Sequence, residues 1–218
     1  MSVLLASPLP ARRRLFLMGL LGALAMVCVS ATSARAAGLI NTDPCDNATL
    51  TQPFAPWGDS NYYKLVPGGS FEGSLAGWTL SGGAARVSGS EPFGVTGSVG
   101  KYSVELPAGG SVQSPNTCVD WADPTFRFFA RNNGLLSTVL VSVVYKEPLL
   151  GPVAIPIGAV ALSSTWQPTL LPMLTASQVQ SVVNGLLGLG TPQVALRFTA
   201  LTGNSQIDDV YVDPMRSW

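Results

Sequence analysis

Acids and bases able to do chemistry are few in this chain of 218 residues. It has twelve Asp and Glu, twelve Lys and Arg, and no histidine. Without an imidazole, Ser-His-Asp and Cys-His machinery is excluded. Zinc would lack its usual nitrogen ligands. Gly58-Asp59-Ser60 resembles the nucleophile block of an esterase family, but that family also needs a histidine near the C-terminus, and these residues are read as a turn. No phosphate-cradling or dinucleotide glycine motif occurs. The remaining acid–base option is a pair of carboxylates facing each other across a groove, drawn from Glu72, Glu91, Glu105, Asp120, Asp123 and Glu147. Only Asp120 and Asp123 are close in sequence.

Aromatic rings offer a different chemistry. The face of a Trp or Tyr stacks against a sugar ring, and neighbouring polar groups read the hydroxyls. Trp57, Tyr63 and Trp121 are candidates, with Tyr62 and Trp218 beside them. Arg127 and Arg131 alternate with Phe126 and Phe128, so both can lie on one strand face and bond hydroxyls or carboxylates. A structural ion pair is the alternative. Each ring, taken alone, can equally be a packing anchor.

The elements that must position these groups are strands. Residues 38–66 read as an irregular segment pinned to the domain by Phe54, Trp57, Tyr62 and Tyr63. From Pro67 onward, short runs rich in Val, Thr and aromatics alternate with Gly, Pro, Ser and Asn clusters. Strands are predicted at 84–88, 101–106, 111–113, 125–130, 138–145, 153–157, 159–162, 193–201 and 207–212, with one more near Phe71 or Trp78. Val179, Val182, Val183, Leu186 and Leu187 recur at helical spacing between Thr175 and Gly188, which predicts one amphipathic helix over 176–187. The expected fold is an all-β sandwich of two antiparallel sheets with one short inserted helix.

Two motifs refine this. Gly68-Gly69-Ser70-Phe71-Glu72-Gly73 followed by Trp78, and Ile207-Asp208-Asp209-Val210-Tyr211-Val212-Asp213-Pro214, resemble the first and last strands of the galactose-binding-like jelly roll. Many carbohydrate-binding modules have that fold. The resemblance covers roughly residues 64–214 and implies a jelly roll that binds rather than catalyses. It implies core positions for Trp78 and Trp166. It also implies a structural Ca2+ held by Glu72 and Asp208 with backbone carbonyls at Ser70 and Lys101, an all-oxygen set suited to calcium. Strict alternation would place Asp208 and Asp209 on opposite faces. Without calcium, Glu72 would accept backbone hydrogen bonds or pair with Lys101 or Arg86. The block Phe54–Asp59 and the ending Asp208–Pro214 also resemble secreted actinobacterial proteins, which implies a source and location but no activity.

The amino terminus reads as an export signal over residues 1–36: Arg12-Arg13-Arg14, the apolar run Leu15–Val29, and Ala34-Arg35-Ala36 before Ala37. The paired arginines suit twin-arginine as well as ordinary secretion. Cleavage removes four arginines and Cys28, leaving eight Lys and Arg against twelve Asp and Glu, a net charge of −4. That balance gives no basic patch for nucleic acid or anionic lipid. Cys45 and Cys118 remain, an even pair read as a disulfide in an oxidising compartment, worth about 4–5 kcal/mol by loop closure. Residues 37–66 are read as a segment packed on the domain and residues 67–218 as the sandwich. The function expected is non-catalytic binding of an extracellular glycan or cell-wall polysaccharide by a secreted monomer. The alternatives are an extracellular adhesion protein using the same fold and a small glycan-acting hydrolase.

Overall fold

The computed structural model describes residues 49–118, 125–134, 136–147, 151–170 and 193–213. In chain order its strands are β1 (Lys64–Leu65), β2 (Thr79–Ser81), β3 (Ala85–Ser88), β4 (Tyr102–Leu106), β5 (Ser111–Gln113), β6 (Thr117–Cys118), β7 (Thr125–Asn132), β8 (Thr138–Glu147), β9 (Gly151–Ala161), β10 (Gln167–Pro168), β11 (Gln193–Thr202) and β12 (Ser205–Asp213). Among the described residues one 3-10 turn, Ala55–Trp57, precedes them. The predicted helix over 176–187 lies outside the described residues.

Two antiparallel six-stranded sheets form a sandwich of jelly-roll type. Sheet one runs β10-β7-β12-β4-β3, and β1 lies beside the C-terminal half of β12. Sheet two runs β2-β5-β11-β8-β9, and β6 lies beside the N-terminal end of β11. The alternation that predicts the strands also builds the core. Val104, Leu106, Phe126, Phe128, Ile207, Val210 and Val212 of sheet one face Val112, Val139, Val141, Val143, Leu196 and Phe198 of sheet two. Phe128 meets Phe198 edge-on at 4.8 Å between ring centres. Truncating such a ring costs about 3–5 kcal/mol.

Sheet one carries a second apolar layer on its outer face. Phe54, Tyr63, Phe129, Trp166 and Tyr211 are buried there, beneath the segment 51–66. That segment is more regular than expected. Thr51 bridges Tyr63, and β1 pairs Lys64 with Val212 and Leu65 with Tyr211.

Two bulges set the geometry that matters below. Between Asp208 and Tyr211, β12 advances three residues while β7 advances only from Phe129 to Arg127. The extra residue is absorbed at Asp209, whose φ is 45°, a left-handed conformation unusual outside glycine. On β9, Ile157 is the extra residue between the pairs Val141–Gly158 and Ser142–Pro156. The sequence suggests two strands there, interrupted near Gly158. The structure makes them one edge strand, because pairing with β8 continues across Gly158 through that bulge, and Pro152 and Pro156 are tolerated on an edge.

Candidate functional site

The motifs at the two ends of the domain do meet. Gly69 accepts from Val210 N–H at 3.1 Å, and Val66 N–H donates to Val210 O at 2.9 Å. A Cβ on Gly69 would come within 2.8 Å of Val210 O and 2.9 Å of Val66 O, so this crossing requires glycine. Trp78 is 7% exposed, lies edge-on to Phe71 and donates to Pro67 O at 2.9 Å, so it belongs to the core.

Four carboxylates gather beside this crossing. Glu72 Oε1 accepts the N–H groups of Lys101 and Tyr102 at 2.7 and 2.8 Å. Asp208 Oδ2 accepts from the Ser90 hydroxyl at 2.6 Å and from Glu91 N–H at 3.0 Å, while its Oδ1 accepts from Asp209 N–H at 2.9 Å. Glu91, 1% exposed, accepts from the N–H groups of Phe93, Gly94 and Val95. The loop 89–101 is therefore held to the sheet by carboxylates. Gly100 belongs to the same packing, since a Cβ there would collide with Glu72 Oε1 and the Ser90 hydroxyl.

Alternation fails at this point. Ile207, Val210 and Val212 all face the core, so the bulge turns both Asp208 and Asp209 outward. Burial pushes the Asp208 carboxyl up to about 7, against its three hydrogen bonds. Burial, then the charges of Asp208 and Glu91, a hydrogen bond to Glu91 and the charge of Glu72, push Asp209 up to about 9. These are oxygen donors of the hard kind that suit calcium. Of the two carbonyls expected to join them, that of Lys101 accepts Gly89 N–H at 2.8 Å. Among the described residues, no three or more Asp, Glu, Cys or His side chains converge as a metal-ligand group.

The expected ligand-binding residues divide. Tyr63 is fully buried, and its hydroxyl donates to Asp59 Oδ2 at 2.6 Å. Arg127 is 5% exposed. It donates to the same oxygen at 2.7 Å and to Thr169 O at 2.8 Å, and its guanidinium lies 4.3 Å from the Phe54 ring centre. Burial alone would raise the Asp59 carboxyl. Hydrogen bonds from Tyr63, Asn61 and Arg127, with the guanidinium charge, outweigh burial and hold it below its usual value. Tyr63 and Arg127 thus form a structural triad with Asp59, in which Tyr63 is fully buried and little of Arg127 is left exposed to meet a ligand. Gly58-Asp59-Ser60 is the anchor of that triad as well as a turn.

Arg131 stays half-exposed, bonded to Gln206 Oε1 at 2.7 Å and lying 5.1 Å over the buried ring of Trp166. Trp57 is half-exposed as well. It packs edge-on against Phe93 at 4.8 Å and Phe129 at 5.4 Å, and Phe93 is 44% exposed. Trp57 and Phe93 form a rigid aromatic step in solvent on the outer face of sheet one. Sequence reasoning missed Phe93, whose place is set by Glu91 accepting the N–H groups of its turn, a contact no local motif announces. Trp121 and Cys45 lie outside the described residues.

No known protein family matches the sequence, and no curated protein does. Solved structures are similar at low identity. One is a Clostridium thermocellum xylanase 10B fragment with CBM22-1 and GH10 modules, complexed with xylohexaose (15% identity, TM-score 0.45, 68% of this chain and 28% of that one). Another is a xylan-binding domain from CBM 22 (18%, 0.45, 73% and 99%). A third is the Clostridium thermocellum family 11 carbohydrate-binding module in complex with a β-1,3-1,4-mixed-linked tetrasaccharide (11%, 0.40, 66% and 91%). The chain spans about a quarter of the xylanase fragment's length.

Proposed function

We propose that this protein is exported and binds an extracellular or cell-wall polysaccharide as a non-catalytic monomeric module. The observation that supports this most directly is the Trp57–Phe93 step. It presents partly exposed ring surface at fixed angles, as sugar stacking requires, on a face otherwise closed by the segment 51–66. The carboxylates Glu91, Asp208 and Asp209 are buried at 1%, 0% and 3% exposure and serve the backbone and one another, which weighs against a hydrolase.

The test is retention on insoluble xylan, mixed-linked glucan and purified cell walls, with and without Trp57→Ala. Binding by the native protein and loss by a variant that is still folded at the assay temperature, though with a lowered melting temperature because Trp57 packs on Phe129, is expected. Equal retention of both would remove the step from the reading. Export carries its own check, since the secreted protein should begin at Ala37 by N-terminal sequencing. Non-reducing peptide mapping should join Cys45 to Cys118.

A structural Ca2+ remains part of the proposal, with Glu72, Asp208 and the carbonyls of Ser70 and Lys101 as its ligands. It would offset the like charges of the four-carboxylate cluster.

A second reading, an extracellular adhesion protein, draws on one feature. A cleft of about 660 Å3 opens between edge strands β9 and β10, lined by Ala130, Val141, Ile157, Val160, Leu162 and Leu170. Adhesion predicts capture of a protein partner and a blank glycan array.

A further inference from the structure

The outer face of sheet two differs chemically from that of sheet one. Leu196 and Phe198 face the core, so Arg197 and Thr199 face outward, as do Ser111 and Gln113 around Val112 and Thr79 and Ser81 around Leu80. Strand register sets these residues in two rows. One row is Thr79, Gln113 and Arg197; the other is Ser81, Ser111 and Thr199. Neighbouring members of a row are about 4.8 Å apart and the rows about 7 Å apart. All six are at least partly exposed.

Arg197 is the cation of this grid, at the β11 end of its row. Its Nε and Nη2 both donate to Gln113 Oε1, at 3.1 and 2.7 Å. That clamp fixes the guanidinium plane and uses two of its five N–H groups. The end-on pair, one N–H each from Nη1 and Nη2, has no partner among the described residues. Arg197 makes no ion pair there, whereas Arg127 is neutralised by Asp59. Within the strands of sheet two the only Asp or Glu is Glu147, five residues along β8 from Ser142, the Cα partner of Arg197, or about 17 Å. A fixed planar fork with an open end matches the two oxygens of a carboxylate. The described strands of this face carry no Trp, and Tyr145, the one Tyr, lies three residues beyond Ser142 on β8. Polar contacts and charge must therefore carry recognition on the grid.

We propose that the accessible part of the outer face of sheet two, over β2, β5 and the Arg197–Thr199 stretch of β11, binds the uronate units of an acidic polysaccharide; on β8 and at the start of β11 the outward-facing Ser142, Val144 and Ala195 are buried. The sugar carboxylate docks end-on at Arg197, and hydroxyls from Thr199, Ser111 and Thr79 meet the ring hydroxyls. The ligand class rests on the polysaccharide-binding reading above, but the site is separate from the Trp57 step.

The experiment is affinity electrophoresis of the full chain through gels containing polygalacturonate, its fully methyl-esterified form, or neutral mixed-linked glucan. Retardation by the free acid and none by the ester is expected. Arg197→Gln should weaken binding to the acid about tenfold or more. Arg197→Lys should fall between, because an ammonium keeps the charge but lacks the fork. Trp57→Ala should bind the acid as the native protein does. Thermal melting confirms that each variant folds, and an unfolded Arg197→Gln would leave the Lys variant and the ester comparison as the deciding measurements. Equal retardation by acid and ester overturns the proposal, as does wild-type binding by a folded Arg197→Gln. So does displacement by inorganic phosphate at concentrations where free galacturonate has no effect, which would mark a phosphate site. Loss of glucan binding alone in Trp57→Ala concerns the other site and leaves this one standing.

Discussion

Replacing Asp209 by Asn isolates the cost of the carboxylate cluster. The carboxyl of Asp209, pushed up to about 9, is protonated in the folded protein at pH 7, while in the unfolded chain it titrates at 3.8. Folding at pH 7 must therefore bind a proton. Because the native state holds more protons than the unfolded state in this window, stability falls as pH rises from about 4 toward 9. At pH 7 only the unfolded value enters: 3.2 pH units at 1.36 kcal/mol each give a cost of about 4 kcal/mol. Asn needs no proton, still donates toward Glu91, and tolerates the left-handed backbone at this bulge. With EDTA present, Asp209→Asn should match the native protein near pH 3.5 and exceed it at pH 7. At roughly 2–4 °C per kcal/mol, the gain in melting temperature is about 10 °C. Differential scanning fluorimetry from pH 3.5 to 8.5 measures it. A variant less stable than the native protein at pH 7, or one whose advantage does not change with pH, would refute the reasoning.

The structure makes other commitments. Arg127→Met should cost about 1–3 kcal/mol by chemical denaturation, because it leaves a partly buried Asp59 carboxylate with only its Tyr63 and Asn61 hydrogen bonds. Gly69→Ala should lose roughly 1–3 kcal/mol in the same assay, since its Cβ meets two carbonyl oxygens. Calcium should raise the melting temperature after EDTA treatment, and the increment should grow from pH 5 to pH 8 as protons cease to compete for Asp208. An increment independent of pH would place the ion elsewhere.

The long strands were legible in the sequence because Val, Thr and Phe alternate between Gly- and Pro-rich turns. The short β1, β6 and β10 were not. Two residues carry no periodicity, and these strands exist because β12, β11 and β7 offer them an edge. Asp208 and Asp209 were assigned to opposite faces because alternation cannot announce a bulge. Tyr63 and Arg127 had the chemistry of a sugar site, but each found Asp59, and only the three-dimensional fold brings Arg127 to a residue 68 positions away. Arg197 gave no signal at all. Its meaning depends on Gln113, 84 residues distant, and on the scarcity of acids across its sheet.

The prolines of β9 have a consequence for copies of this protein held at high concentration. An eleven-residue edge is long enough to template a neighbour's strand, and crowding raises the chance of that event. Pro152 and Pro156 remove amide donors from the outward side of its first half, so two sheets brought together there have few bonds to exchange. Each copy can thus keep its own sheets when copies are crowded, and restoring those two amides would reopen that edge to pairing with a neighbour.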